Sequence, residues 1–148
     1  MKARSLLAGL AMLAVAATLL AADINLEGVK CVMISKNNAK AQSSVEYKGG
    51  KVFFCCGNCL AKFKQDPSKA AVSANYQLVA TGQAKQVKCP LSGRDLNPEQ
   101  SVKVGNVSVQ FCCGNCKGKA AKAEGEEQLK LLFNDEAFAK AFKVGEAK

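Results

Sequence analysis

The chain of 148 residues contains no histidine and no tryptophan, and it has only two tyrosines and three prolines. Without histidine there is no imidazole general base and no Ser-His or Cys-His nucleophilic pair. No glycine-rich loop of the phosphate-binding kind is present, and the carboxylates are scattered along the chain rather than paired. We therefore expect that the protein is not an enzyme.

Large apolar side chains are also scarce, because aromatic residues make up only 6% of the chain. Two units of roughly 50–60 residues would each be marginal on hydrophobic burial alone. Something must therefore supplement the core, and cysteine is the obvious candidate.

The eight cysteines form two similar sets of four. The sequence Phe-Cys-Cys-Gly-Asn-Cys occurs at Phe54–Cys59 and again at Phe111–Cys116, each time after a lone cysteine, Cys31 or Cys89. The two copies are offset by 57 to 58 residues, which indicates an internal repeat. We place the first unit at residues 23–82 and the second at residues 83–148, with the boundary near Gly82.

Residues 1–22 have the layout of a secretory signal peptide. Lys2 and Arg4 precede an uncharged apolar stretch, and small residues then come before Asp23. The alternative is an uncleaved membrane anchor, since the apolar stretch approaches spanning length. We expect cleavage and an exported protein, periplasmic or extracellular.

The charge of the exported chain is positive. After residue 22 the chain carries 19 basic and 12 acidic side chains, a formal charge of +7. Most of this charge should be a solvated surface, with at most weak association with anionic cell-surface material. No basic stripe interleaved with aromatic residues is present, so we expect no nucleic-acid partner.

A strand-turn-strand pattern precedes each paired cluster, and helical segments follow it. The predicted strand pairs and turns are Ser43–Lys48 and Lys51–Cys55 around Gly49-Gly50, and Ser101–Val104 and Val107–Cys112 around Gly105-Asn106. The predicted helices are Cys59–Lys64, a segment capped by Asp66-Pro67, Asn115–Ala123, Glu126–Phe133 and, after an Asn134 cap, Asp135–Val144. Between the units we expect an extended connector over Asn75–Lys88, in which Tyr76–Ala80 is a short strand or a helix end.

The spacing within each cluster is that of metal ligands. Cys56 and Cys59 form a C-x2-C pair, and Cys55 and Cys59 form a C-x3-C pair. Tetrahedral zinc needs four ligands, and each unit holds four thiols. Adjacent residues at a strand end point to opposite faces, so a kink at Gly57 is needed if Cys55 and Cys56 are to share an ion. Otherwise one of the two is a spare thiol, and the fourth ligand comes from elsewhere or from water.

The first copy resembles the TRASH/YHS-type metal-binding domains through Cys31, Val52–Cys55, Cys59, Phe63 and Asp66-Pro67. The second copy is similar through Cys89-Pro90, Phe111-Cys112 and Cys116. The resemblance implies a small treble-clef-like unit in each copy, a β-hairpin followed by a helix. Together with the helices predicted after the second cluster, this gives a small α+β fold of two tandem treble-clef-like units with a helical C-terminus. The resemblance also implies that three cysteines of each unit bind zinc or a heavy metal; Cys56 and Cys113 lie outside this three-cysteine core.

All eight cysteines are therefore candidate metal ligands: Cys31, Cys55, Cys56, Cys59, Cys89, Cys112, Cys113 and Cys116. Zinc is the first expectation, and Cu(I) or another soft ion is the second. Met33 could add a thioether at one unit, although packing is its more common use. The ion would be structural support for a module that binds an unidentified protein, or a buffered cargo.

Two other interpretations of the cysteines stay open. Exported small domains often use disulfides in place of a core, and four cysteines in each unit allow three pairings. A C-x-x-C pair such as Cys56–Cys59 could also carry out thiol-disulfide exchange. The second is the weaker interpretation, because no thioredoxin-like pattern surrounds the pair.

Overall fold

The computed structural model of the protein describes residues 24–145. The predicted signal peptide, residues 1–22, and the alternative membrane anchor lie outside these residues. Within residues 24–145, no helix combines the length and the apolar character needed to cross a bilayer.

Each unit contains a β-hairpin followed by a helix, so the predicted small α+β fold is confirmed. The hairpin strands are β1 (Lys40–Tyr47) and β2 (Gly50–Phe54) in the first unit. Strands β4 (Asn97–Val104) and β5 (Val107–Phe111) form the second hairpin, after a short β3 (Ala84–Gln86). Both hairpins are antiparallel, and both contain the same irregularity in register near the start of the first strand.

The helices follow the hairpins and continue to the C-terminal region. They are α1 (Gly57–Gln65), a 3-10 helix (Pro67–Ala70), α2 (Ala71–Ala80), α3 (Gly114–Lys122), α4 (Gly125–Phe133) and α5 (Asp135–Ala141). The predicted caps are confirmed. Asp66 accepts a hydrogen bond from Ser68 N at 3.2 Å, and Asn134 Oδ1 accepts one from Ala137 N at 2.9 Å.

The expected connector over Asn75–Lys88 is not extended in its first part, and of the two alternatives for Tyr76–Ala80 the helix end is confirmed. Residues up to Ala80 belong to α2, because Ala71, Ala74 and Leu78 recur at helical spacing and are all buried. The chain becomes extended only at β3. Gly82 lies between these two elements, and the unit boundary placed there stays a prediction.

The predicted last helix was wrong in its last three residues. Helix α5 ends at Ala141, and Phe142–Val144 form β6, which pairs antiparallel with β3. Phe142 is buried and stacks on the rings of Phe133 and Phe138, with centroids 5.6 and 5.5 Å away. Burial of this ring and pairing with β3 outweigh the helical spacing of the sequence.

The turn of the first hairpin was also misplaced by one residue. It consists of Lys48 and Gly49, with φ of 49° and 85°, and Gly50 already belongs to β2. Two positive φ values are the signature of a type I′ turn, which suits the twist of a hairpin. In the second hairpin the predicted turn, Gly105-Asn106, is confirmed, with φ of 59° at Gly105.

The two units pack against each other through α2, which contacts α4 and α5. The rings of Tyr76 and Phe133 meet edge to face, with centroids 5.2 Å apart. Asn75 is fully buried and donates from Nδ2 to the Phe133 carbonyl at 2.9 Å. Asp135 accepts from Asn75 Nδ2 at 2.9 Å and from Lys48 Nζ at 2.6 Å. The core of the protein is therefore shared between the repeats.

Candidate metal centres

The first cluster forms where a loop, a strand end and a helix meet. Cys31 lies in the loop before β1, Cys55 directly follows β2, and Cys59 lies in the first turn of α1. The loop is closed by a hydrogen bond that Cys31 N donates to the Asn37 carbonyl at 2.9 Å. Cys31 and Cys59 are buried, whereas Cys55 is half-buried.

The second cluster repeats this arrangement. Cys89 lies in a loop that is closed by a hydrogen bond from Cys89 N to the Arg94 carbonyl at 2.9 Å. Cys112 follows β5, and Cys116 lies in α3. Cys89 is fully buried, but Cys112 and Cys116 are half-buried, so this site is more open at its helix than the first.

In each cluster three sulfur atoms lie within 4.8 Å of one another, those of Cys31, Cys55 and Cys59 and those of Cys89, Cys112 and Cys116. The Cys55–Cys59 and Cys112–Cys116 sulfur distances are both 3.7 Å. Two thiolates on one tetrahedral ion with bonds of about 2.3 Å lie about 3.8 Å apart. A disulfide needs about 2.05 Å, and all eight cysteines are free thiols in this structure. The sulfur positions therefore fit a shared metal ion.

The adjacent cysteines lie at the edge of these triads. Cys56 Sγ is 3.8 Å from Cys55 Sγ, and Cys113 Sγ is 3.6 Å from Cys112 Sγ. Cys56 has extended backbone, with φ of −161°, and α1 begins at the next residue, Gly57. The backbone therefore changes from extended to helical between Cys56 and Gly57, but Cys56 and Cys113 are not among the three sulfurs of each unit that lie within 4.8 Å of one another. Cys56 is exposed and Cys113 is half-buried.

The pKa values of the thiols in one cluster diverge. Burial raises the pKa of Cys59 to about 12, and hydrogen bonds with Cys56 and Cys55 raise it as well. Burial and the Cys112 and Cys113 thiols likewise raise the pKa of Cys116 to about 12. A proton on the last cysteine keeps negative charge from accumulating among the sulfurs. A bound cation would do the same and would allow every sulfur to be a thiolate.

The first cysteine of each cluster is surrounded by hydrogen-bond donors. Burial opposes ionisation of Cys89, but the Ser92 hydroxyl and nearby backbone N–H groups, including that of Leu91, lower its pKa to about 7. For Cys31, burial again opposes ionisation, but hydrogen bonds from backbone N–H groups, including that of Met33, lower its pKa overall. Each loop therefore favours the thiolate form of its cysteine, the form that binds metal.

Sequence reasoning missed two polar side chains beside the sulfurs. Asn37 Nδ2 donates to Cys55 Sγ at 3.7 Å, and Ser92 Oγ lies 3.1 Å from Cys112 Sγ. Both belong to the loop that begins at the lone cysteine, and this position is the signal that could have identified them. Such groups orient a ligand and tune its basicity.

Sequence reasoning also missed two glutamines that hold the sites together. Gln77 Nε2 donates to the carbonyls of Lys30 at 2.7 Å and of Phe53 at 3.0 Å. Lys30 directly precedes Cys31, and Phe53 comes two residues before Cys55. In the second unit Gln86 Nε2 donates to the corresponding carbonyls, those of Lys88 at 3.0 Å and Gln110 at 2.8 Å. Nothing in the sequence around Gln77 or Gln86 signals this role.

Met33 is half-buried and packs against the core, beside a groove that Ala70 and Val72 also line. This packing accounts for its apolar side chain without a metal.

No family model, no characterised protein and no solved structure matches this chain. The resemblance to TRASH/YHS-type domains therefore rests on the sequence motif alone. The structure supports the coarser statement that two groups of cysteines lie close enough together to hold a metal ion each.

Proposed function

We propose that this protein is an exported, non-catalytic metal-binding protein that holds one thiophilic ion at each cysteine cluster. The observation that carries this proposal is the grouping of three sulfur atoms in each cluster within 4.8 Å of one another, with one pair in each at 3.7 Å, the spacing of thiolates on a tetrahedral ion. The repetition of the same spacing in both units makes an accidental cluster a poor explanation.

Three cysteines of each cluster would form the core of the site, and Cys56 or Cys113 would be the fourth ligand. An all-thiolate set suits zinc first, and Cu(I) or another soft ion second. It is a poor set for magnesium or calcium, which take oxygen ligands. When bound, the ion would supply a cross-link between the loop, the strand end and the helix.

The structural role is supported by burial. Cys31, Cys59 and Cys89 belong to the same buried cluster as Phe54 of β2 and Phe111 of β5. Structural zinc contributes about 10–16 kcal/mol in apparent binding terms to small finger peptides. A protein with so few aromatic residues gains much from such an ion. A buffering role is supported by the exposure of Cys56, which leaves one edge of the first site open.

Mass spectrometry of the protein purified from an exporting host, without added metal or reductant, tests the proposal. We expect two ions in the native spectrum, eight alkylatable thiols after denaturation, and an N-terminus near residue 23. A mass about 8 Da below the reduced chain with no metal would instead indicate four disulfides. That result would overturn metal binding and leave a disulfide-stabilised interaction module.

A further inference from the structure

The two cysteine clusters differ in the charge of the surface around them. An open cavity of 520 Å³ lies over the first site, and Cys55 and Cys56 are among its lining residues. Three exposed lysines, Lys30, Lys36 and Lys40, also line it, and no acidic residue does. We call this cavity with its lysines the basic cup.

The repeat supplies an internal comparison. In the second unit Lys88 corresponds to Lys30, but it forms an ion pair with Asp95. Asn97 takes the place of Lys40, because each is the register partner of the phenylalanine before the paired cysteines. The second loop retains one other basic residue, Arg94, whose carbonyl closes the loop as that of Asn37 does in the first unit. Positive charge is therefore concentrated at the first site.

The residue three positions after the lone cysteine also differs between the two units. In the second unit it is Ser92, whose hydroxyl lies 3.1 Å from Cys112 Sγ. In the first unit it is Ile34, which cannot make such a contact and is 42% exposed. The outermost sulfur of the first site, that of Cys56, is exposed, whereas its counterpart Cys113 is half-buried.

The geometry points to the first centre as an exchange site at which a small anionic thiol, one that carries carboxylates, takes metal through the basic cup. This inference rests on the proposed function. The incoming thiolate would bind the ion and displace the Cys56 thiolate, which then takes a proton from water. One metal–sulfur bond forms and one breaks, and no group is oxidised or reduced.

The lysines would act by attraction. A cleft of one charge sign raises the local concentration of ligands of the opposite sign and speeds their association, and salt weakens the effect. At the second centre Lys88 is paired with Asp95 and Asn97 is neutral, so the attraction is weaker. An anionic thiol should therefore take that ion more slowly, although Cys116 is less buried than Cys59, and with less preference for the charge of the thiol.

The test uses the full exported chain loaded with Co(II), whose thiolate absorption reports each bound ion. Stoichiometry is measured first, and two ions are expected. Release is then followed at low ionic strength with mercaptosuccinate, 2-mercaptoethanol or cysteamine. We expect two phases of equal amplitude, with the faster one roughly tenfold quicker for mercaptosuccinate than for cysteamine after correction for thiol reactivity.

The variant Lys30→Gln/Lys36→Gln/Lys40→Gln should remove this preference from the fast phase alone. A matched control, Lys85→Gln/Lys103→Gln/Lys143→Gln, removes the same charge from exposed residues that do not line the cup. It should retain the wild-type preference. Pulse alkylation during the fast phase should label Cys56 before any other cysteine.

Equal effects of the two triple variants, or first labelling at Cys113, would overturn the exchange site and leave metal binding intact. Retention of the preference at high salt would also contradict it. A chain that binds no metal in the first step would overturn the proposed function itself.

Discussion

The Gln77 side chain pairs with both backbone groups of Phe53, accepting from its N–H at 2.6 Å and donating to its carbonyl at 3.0 Å. The side-chain amide thus makes the two hydrogen bonds to Phe53 that a neighbouring strand would otherwise make. Gln86 makes the same pair of hydrogen bonds to Gln110, at 2.9 and 2.8 Å. The strand that leads into each paired cluster is fixed in this way, although one glutamine comes from a helix and the other from a strand.

We expect Gln77→Met to destabilise the first unit. Methionine is similar in length but cannot replace the amide, so the buried Phe53 N–H loses its partner, at a cost of about 1–3 kcal/mol. Chemical denaturation of the metal-free protein measures this loss. Gln86→Met should cost less, because Gln86 is only half-buried and water can reach the groups it leaves.

The control for this pair is Gln42→Met on β1, where the glutamine is exposed. It should change the free energy of unfolding by less than about 0.5 kcal/mol. If Gln77→Met behaved like this control, the amide would not be holding β2.

Local patterns predicted much of this structure. The alternation of Val102, Val104, Val107 and Val109 gave the second hairpin, and the caps at Asp66 and Asn134 gave two helix starts. The pairing of each lone cysteine with the later cluster was also predictable, because the whole set occurs twice. These features depend on residues that are close in sequence or on the repeat.

Features that depend on distant contacts were not predictable. Strand β6 exists because Phe142 is buried on Phe133 and its neighbours pair with β3. The roles of Gln77 and Ser92 require knowing which backbone group or sulfur lies opposite them. A single sequence gives no information about such neighbours, since glutamine and serine are common surface residues.

The ion pair between the units should make stability depend on pH. The hydrogen bond from Lys48, and then that from Asn75, holds the pKa of Asp135 below its ordinary value of 3.8. A depressed folded-state pKa gives stabilisation that is complete above the unfolded value and is lost as pH falls through the folded one. The Asp135 side chain is 61% exposed, so the ion pair should contribute less than about 1 kcal/mol.

The measurement is the difference in unfolding free energy between wild type and Asp135→Asn, with metal removed from both. The difference should be largest at neutral pH and shrink between about pH 5 and pH 2. About 1 M salt should reduce the difference at neutral pH, because salt screens exposed pairs. A difference that stayed constant down to the lowest pH would show that Asp135 acts through packing.

Gly50 should tolerate no side chain. A Cβ built there would lie 2.6 Å from Leu78 Cδ2, and Leu78 is fully buried in α2. Gly50→Ala should therefore destabilise the protein by about 1–3 kcal/mol through overpacking. Gly118→Ala is the matched control, since nothing lies within 4 Å of its Cβ position in α3. Because alanine favours a helix interior, this control should stabilise the protein by about 0.5–1 kcal/mol, and thermal unfolding of both variants tests the contrast.

Cysteines within a triad and those at its edge should respond differently to substitution. Cys59→Ser and Cys116→Ser should each reduce the bound metal from two ions to one, because each removes a sulfur that lies 3.7 Å from its neighbour in a triad. Cys56→Ser should keep both ions in the native mass spectrum but lose one of them to a lower concentration of chelator, since an edge ligand is lost while the triad persists. A single variant that lost both ions would mean that the two centres fold together, through the contact of α2 with α4, rather than as independent sites. An unchanged chelator profile for Cys56→Ser would make Cys56 a spare thiol and leave the fourth position of the ion to water.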